Sequence, residues 1–347
     1  MPNFDPNQPG IPGTLFGLPY SVDEADIVLQ PVPWDVTVSY AGGTVNGPEC
    51  ILQASPQIDY SVPGILKPWE LKIAMLPIDQ AWKNRSVTLR NKAEEYIQWI
   101  EKDGKTNKEH FLEIQRTINK ASVDLNQWVN NKASKYLEEG KLIGIIGGDH
   151  STPLGLITAI SNKYSDFGIL QIDAHMDLRK AYEGFEYSHA SIMFNAMQNK
   201  SVSKLVQVGI RDYCEEEEDF VASLKGCVKT FFDAAMKEVI YAGGRWADLC
   251  NEIVEELPEH VYVSFDIDGL DPSLCPGTGT PVPGGLNFNE AIFLINTLVK
   301  SGRKIIGFDL SEVAPRNDHW NGNVGARILY HLCVYAGISK GTLKFDE

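Results

Sequence analysis

The segment DAHMD, residues 173–177, sets Asp173, His175 and Asp177 at alternate positions directly after the apolar run 168–172. Two carboxylates and an imidazole this close repel or desolvate one another unless a cation lies among them. Two other segments repeat the pattern. In LIGIIGGDHS, Gly147 and Gly148 allow a tight turn before Asp149 and His150, Ser151 is read as a helix cap, and Pro153 falls in the first turn of that helix. In VYVSFDIDGLDP, Asp266 and Asp268 follow an apolar run and Gly269 opens the exit loop. Alternate residues of an extended chain face one side, so Asp173, His175 and Asp177 are expected to share a side, as are Asp266 and Asp268. Any one of these segments alone reads equally well as a turn or cap. Together they bring two histidines and four aspartates, His150, Asp173, His175, Asp177, Asp266 and Asp268, to three strand ends. Four carboxylates call for about four positive charges, which two divalent cations supply, and mixed His/Asp ligation suits Mn, Ni, Fe or Zn better than Ca or Mg. Such a pair generates hydroxide at neutral pH and polarises the bond under attack.

These residues need rigid elements behind them. Apolar runs predict strands at 26–32, 71–76, 142–146, 168–172, 205–210, 228–232, 261–265 and 304–310. Several are apolar on both faces, as buried parallel strands are. Helical spacing falls between them, at 89–102, 108–139 (with Phe111, Ile114, Ile118 and Val123 as its apolar stripe), 289–300 and 324–336. Strands alternating with helices imply an α/β fold with a parallel sheet covered on both faces, whose ligands bind beyond the carboxyl ends of the strands. The acidic run EEEED at 215–219 reads as a solvated helix start.

The composition of the 347 residues is that of a globular protein, 43% hydrophobic and 22% charged, with net charge −15. That acidity disfavours nucleic acid and anionic membranes and mildly favours cationic small substrates. No apolar run is long enough to span a bilayer, and the Pro- and Gly-rich N-terminus does not read as a signal peptide but as an arm lying on the surface, residues 1–24. The six scattered cysteines form no CxxC pair, so free thiols and a cytoplasmic location are expected.

GGDHS, DAHMD and SFDIDGLDP, in this order and spacing, resemble the three signatures of the ureohydrolase family of arginases, agmatinases and formimidoylglutamases. The resemblance runs from VPWDVTVSYAGGTVNGPECI to the C-terminal helix. It implies a three-layer α/β/α fold with an eight-stranded, mostly parallel sheet, as one catalytic domain over 25–347 with a helical insertion around 89–139. It also implies hydrolysis of a guanidino or amidino C–N bond at two metal ions, Mn²⁺ first and Ni²⁺ as the alternative, in a homo-oligomer, hexamer or trimer. Carried over, His150 and Asp177 would hold one metal, His175 and Asp268 the other, and Asp173 and Asp266 would bridge. His189 in EYSHAS matches a histidine that shuttles protons or orients the substrate. Glu312 in IGFDLSEVAP matches the glutamate that pairs with the guanidinium, which suits a carboxylate accepting two parallel N–H bonds. Asp177 or His189 would pass a proton to the leaving amine or ammonia.

The departures bear on the substrate. The stretch after DAHMD is LRKAYEGFEYSHAS, with Tyr182, Phe185 and Tyr187 and no Asn/Ser/Thr cluster, which disfavours arginine. His189-Ala190 stands where many agmatinases have His-Gly, and Trp320 in NDHWNG is expected at the mouth of the pocket, against the substrate. The pattern resembles the agmatinase-like branch that includes guanidine hydrolases. Guanidine and agmatine rank level, and formimidoylglutamate third, because no arginine is seen to hold its carboxylates. A catalytically silent member should have lost metal ligands, and all six are present. A related deacetylase should show adjacent histidines, and none occur.

Overall fold

The computed structural model describes residues 4–346; positions 1–3 of the expected arm and position 347 lie outside them. Eight strands are present: β1 (Ile27–Pro31), β2 (Ile73–Met75), β3 (Leu142–Ile146), β4 (Phe167–Ile172), β5 (Val202–Ile210), β6 (Val228–Phe232), β7 (His260–Asp266) and β8 (Lys304–Ser311). Ten α-helices lie between and after them: α1 (Gly47–Ala54), α2 (Gln80–Glu101), α3 (Lys108–Glu138), α4 (Leu154–Ser161), α5 (Ile192–Met197), α6 (Glu215–Ser223), α7 (Asp233–Tyr241), α8 (Trp246–Glu255), α9 (Phe288–Lys300) and α10 (Trp320–Lys340). The strands form one sheet in the order β2-β1-β3-β8-β7-β4-β5-β6, parallel throughout.

Alternation along each strand divides the core into two layers. Leu142 and Ile146 of β3 join one core with Ile51 of α1, Leu249 of α8, Leu294 of α9 and Leu329 of α10. Ile143 and Ile145 join the other, with Ala93 of α2, Ile118 of α3, Ile157 of α4 and Met193 of α5. The result is the expected three-layer α/β/α sandwich.

Three local expectations are corrected. The helix expected from residue 89 begins at Gln80, because Asp79 accepts hydrogen bonds from the amides of Ala81 and Trp82 at 3.0 and 3.2 Å and caps it. Val123 is exposed, since the buried stripe of α3 runs Ile114, Ile118, Leu125, Val129, and position 123 has rotated off it. The N-terminal segment lies on the surface only in part. Leu15, Phe16 and Leu18 are buried, and Phe16 packs edge-on against Tyr330 of α10 at 5.2 Å.

Candidate metal centre

The strand order decides where the chemistry collects. β3, β8, β7 and β4 are adjacent in the middle of the sheet. Their carboxyl ends deliver, in that order, His150, Glu312, Asp266 with Asp268, and Asp173 with His175 and Asp177. Close packing makes this possible. Gly148 lies against the backbone of Trp34, so a Cβ there would collide with its carbonyl. The turn is tied on both sides, Gly148 N–H donating to Val32 and Glu312 N–H donating to the Gly148 carbonyl, at 2.9 and 2.8 Å.

All six expected metal-ligating residues converge. His150 Nδ1 lies 3.0 Å from Asp173 Oδ2, 3.0 Å from Asp177 Oδ2 and 3.3 Å from Asp266 Oδ2. His175 Nδ1 lies 3.5 Å from Asp173 Oδ1 and 3.2 Å from Asp268 Oδ2. Two groups of ligand atoms, each within 4.8 Å, could hold an ion: His150, Asp173 and Asp266, and Asp173, His175 and Asp268. Asp173 is common to both.

How the side chains reach these places differs from the extended-chain expectation. Beyond β4 the chain turns, and Asp177 adopts a left-handed φ of 55°, uncommon for a non-glycine residue. Its carbonyl accepts the amides of Met193 and Phe194 at the start of α5, at 3.0 and 3.1 Å, which holds the strained residue in place. Residues 267–269 form a 3₁₀ turn, with Asp266 Oδ1 accepting Asp268 N–H at 2.9 Å. Ser151 caps no helix. Its amide and hydroxyl donate to Asp149 Oδ1, and α4 begins after Pro153.

Charge balance shows what these groups could hold. His150 Nδ1 is buried and has no hydrogen-bond partner. Burial alone would push its imidazole down, but Asp173, Asp177 and Asp266 outweigh it and hold it well above its usual range. Burial and the charge of Asp173 push Asp177 up to about 7, and burial with Asp268 and Asp173 pushes Asp266 up. Asp173 is opposite: burial would raise it, and His150 and His175 hold it below the usual carboxylate range. Ser264 settles the tautomer of His150. Its hydroxyl donates to Asp309 Oδ2 at 2.8 Å, so its oxygen is left to accept Nε2–H of His150 at 2.9 Å. Nε2 therefore keeps its proton, and any proton that the carboxylates hold on Nδ1 is the one a divalent cation would displace to use that lone pair. This donor set fits two such ions.

These directions set a pH dependence for the metal-free chain. Above about pH 4 the unfolded chain ionises at Asp177, whereas the folded chain keeps that proton up to about pH 7. Asp266 acts in the same direction, and the stabilisation from the raised histidines is lost as pH rises through their folded values. The depressed Asp173 loses its contribution only below this window. These groups should therefore cost the metal-free protein stability from about pH 4.5 to 7.5, offset in part below about pH 6.5 by His189, whose depressed imidazole favours the fold as pH rises, and Asp177→Asn should make the slope of Tm against pH less negative. An equal slope in the variant would contradict the assignment.

Sequence reading missed the residues beneath the centre. Asp309, Ser264, Gln171, Gln207 and Thr230 stand in register on β8, β7, β4, β5 and β6. They form a polar row across the sheet. Thr230 Oγ1 donates to Gln207 Oε1 at 2.9 Å, Gln207 Nε2 to Gln171 Oε1 at 2.7 Å, and Gln171 Nε2 to Asp173 Oδ2 at 2.8 Å. The signal available was a polar residue set between two apolar neighbours in β4, β5, β7 and β8.

Helices α2 and α3 also serve the site. Gln115 and Asn119 of α3 donate to the Gly184 carbonyl at 2.8 and 3.2 Å, and Tyr96 of α2 packs on Phe185 at 5.3 Å. The loop carrying His189 is thereby fixed. Arg90 of α2 donates to the carbonyls of Val36 and Val38 and holds the opposite loop. α2 and α3 thus pack on the sheet and brace both loops.

A cavity of about 140 Å³ opens over the centre, lined in part by His175, Asp177, Arg179, Tyr182, His189 and Thr280. His189 Nδ1 is buried without a partner, and burial, with His175 and His150, pushes its pKa down to about 3, so the imidazole is neutral. Glu312 also has a left-handed φ, 65°. Its Oε1 accepts His150 N–H at 2.9 Å, so it lacks the two free oxygens expected of it; Oε2 is buried and unpartnered beside Gly279, where a Cβ would sit 2.8 Å away. Trp320 does not line the cavity. It is 48% exposed at the start of α10, with its indole N–H donating to Ser273 O at 3.3 Å. Its proximity in sequence to Glu312 misled, because the chain leaves the site between them. The acidic run of α6 is not wholly solvated either. Glu217 is 3% exposed and accepts the amides of Leu178 and Cys214, both at 3.0 Å.

A sequence model of the Arginase family matches residues 25–335. The chain belongs to the arginase family. Within that family it is similar to the N(1)-aminopropylagmatine ureohydrolase of Thermus thermophilus, 31% identical over 92% of this chain and 94% of the relative. It is also similar to the guanidinobutyrase of Pseudomonas aeruginosa, 29% identical over 92% of this chain and 89% of the relative. Among solved structures, the agmatine ureohydrolase of Thermoplasma volcanium superposes with TM-score 0.71 at 21% identity, covering 98% of this chain and 97% of that one. This arginase-family chain therefore falls with the agmatinase-like branch. All six of its cysteines are free, and no described helix is long and apolar enough to cross a membrane.

Proposed function

We propose that this protein hydrolyses the C–N bond of a guanidino compound at two divalent metal ions, Mn²⁺ or Ni²⁺, releasing urea with an amine or ammonia. The observation that carries the reading is the crowding of three carboxylates around Nδ1 of His150, with the unpartnered Oε2 of Glu312 on the adjacent strand end. The relatives' names, an aminopropylagmatine ureohydrolase and a guanidinobutyrase, agree with a guanidino substrate.

His150 and Asp177 would hold one ion, His175 and Asp268 the other, with Asp173 and Asp266 between them. The ions supply hydroxide at neutral pH and polarise the bond that breaks. Glu312 Oε2 accepts an N–H of the guanidinium and orients its plane, while Oε1 stays on the His150 amide. His189, neutral and buried at Nδ1, accepts a proton and hands it to the leaving nitrogen. Asp177 lines the same cavity as His189 and would be the alternative proton carrier.

The reading is tested by urea release from guanidine, agmatine and arginine, with formamide release from formimidoylglutamate as the comparison, after Mn and Ni reconstitution in parallel. Silence on every guanidino compound with both metals would sink it. His189→Ala should lower kcat about 10²- to 10⁴-fold, the usual worth of a positioned acid–base group, with two metals per chain retained. Loss of metal in that variant would assign His189 to the centre itself.

A further inference from the structure

We propose that Arg179 is the specificity residue of this site and selects a guanidino substrate whose far end is a carboxylate, an inference that rests on the hydrolase reading above. Arg179 lies two residues beyond Asp177 and lines the same cavity. Its backbone is pinned, N–H donating to the Ala190 carbonyl beside His189 at 3.1 Å. Its guanidinium lies over the Tyr182 ring, 4.9 Å from the centroid, and the other neighbour of that ring is His189 at 6.0 Å. The sequence held this arginine in plain view, in LRKAYEGFEYSHAS, but only the fold puts it in the wall of the cavity.

The guanidinium makes no hydrogen bond with a described side chain or carbonyl. The nearest carboxylate is Glu217, with Nε and Oε2 3.9 Å apart, beyond hydrogen-bond range. Both Glu217 oxygens are already engaged by the Leu178 and Cys214 amides. Glu217 therefore anchors the positive charge without filling its donors. Of the other two acids of this wall, Asp177 is turned to His150 Nδ1 at 3.0 Å, and Asp212 has a side chain 67% exposed and sits 4.0 Å from His175 Nε2, so water screens it.

A guanidinium carries five N–H donors, no acceptor and a permanent charge, and its planar fork matches a carboxylate through two parallel bonds. An unfilled fork in the wall of a small cavity favours a carboxylate and disfavours an ammonium. Glu312 takes the cationic end of the substrate and Arg179 the anionic end. That describes an ω-guanidino acid. It also reverses the low rank given to carboxylate-bearing substrates from the sequence.

The test compares 4-guanidinobutanoate with agmatine, which share the guanidino group and a straight tail and differ in terminal charge, with guanidine as the tail-less reference. Metal-loaded wild type should turn over the acid with at least about tenfold higher kcat/KM than the amine, as expected of a charge-assisted pair. Arg179→Met, which keeps the apolar stem over Tyr182, should abolish the preference chiefly through KM, and Arg179→Lys should restore part of it. Thermal shifts of the metal-free protein supply a second readout: the acid should stabilise wild type more than agmatine does, and Arg179→Met should remove the difference. Equal or better turnover of agmatine by wild type, or an unchanged ratio in Arg179→Met, overturns the inference while leaving the hydrolase reading intact. Absence of urea from all three compounds instead overturns that reading, and the inference with it.

Discussion

Asparagine in place of Asp173 is expected to strip the proposed centre of both metals and to lower kcat/KM by at least about a thousandfold, more than the 10- to 100-fold typical of losing an outer hydrogen-bonding partner. Asp173 alone belongs to both candidate ligand groups and is fully buried. Its oxygens are oriented before any ion arrives. Oδ1 accepts His175 N–H at 2.7 Å and Oδ2 accepts the Gln171 amide at 2.8 Å, leaving each oxygen a further lone pair for a cation. An asparagine amide must set its NH₂ against one of those donors, so the change removes a charge and breaks the orientation together. Metal content per chain, measured after dialysis against Mn²⁺ or Ni²⁺, checks this. Two retained metals with activity within tenfold of wild type would show that Asp173 is not shared between them.

Glu312→Gln should lower kcat/KM about 10²- to 10³-fold, the rate equivalent of about 3–4 kcal/mol, by removing one partner of a buried charged pair. Glutamine preserves the shape and can keep its oxygen on the His150 amide. Its NH₂ then faces the substrate, donor against donor. The free protein should move the other way. Burial, then the charges of Asp266 and Asp149, push the Glu312 carboxyl well above its usual range, so the native site carries a destabilising acid. A neutral amide relieves that cost, and the Tm of the variant should rise while its activity falls, as happens where a strained site serves function. Activity within fivefold of wild type would remove Glu312 from substrate binding. An unchanged metal content separates this variant from Asp173→Asn.

The sequence by itself determined the strands, the class of fold and the six candidate residues of the proposed metal centre. Strands were legible because burial on both faces leaves continuous apolar runs. The candidate ligands were legible because carboxylates and imidazoles crowded at the ends of such runs have few other physical justifications. Tertiary structure decided what those residues do to one another. The order β3-β8-β7-β4 brings four strand ends together that are up to 162 positions apart in the chain, as His150 and Glu312 are. Register turns isolated polar residues such as Gln171, Ser264 and Gln207 into a row that orients Asp173 and sets the tautomer of His150. The left-handed backbone at Asp177 and Glu312, the bracing of the His189 loop by α3, and the unfilled guanidinium of Arg179 all arise from contacts between distant segments. Trp320 shows the converse: near the site in sequence, it lies away from the cavity because the chain turns outward after β8. Residue type and spacing determine which chemistry is available, and packing between elements determines which charge meets the substrate.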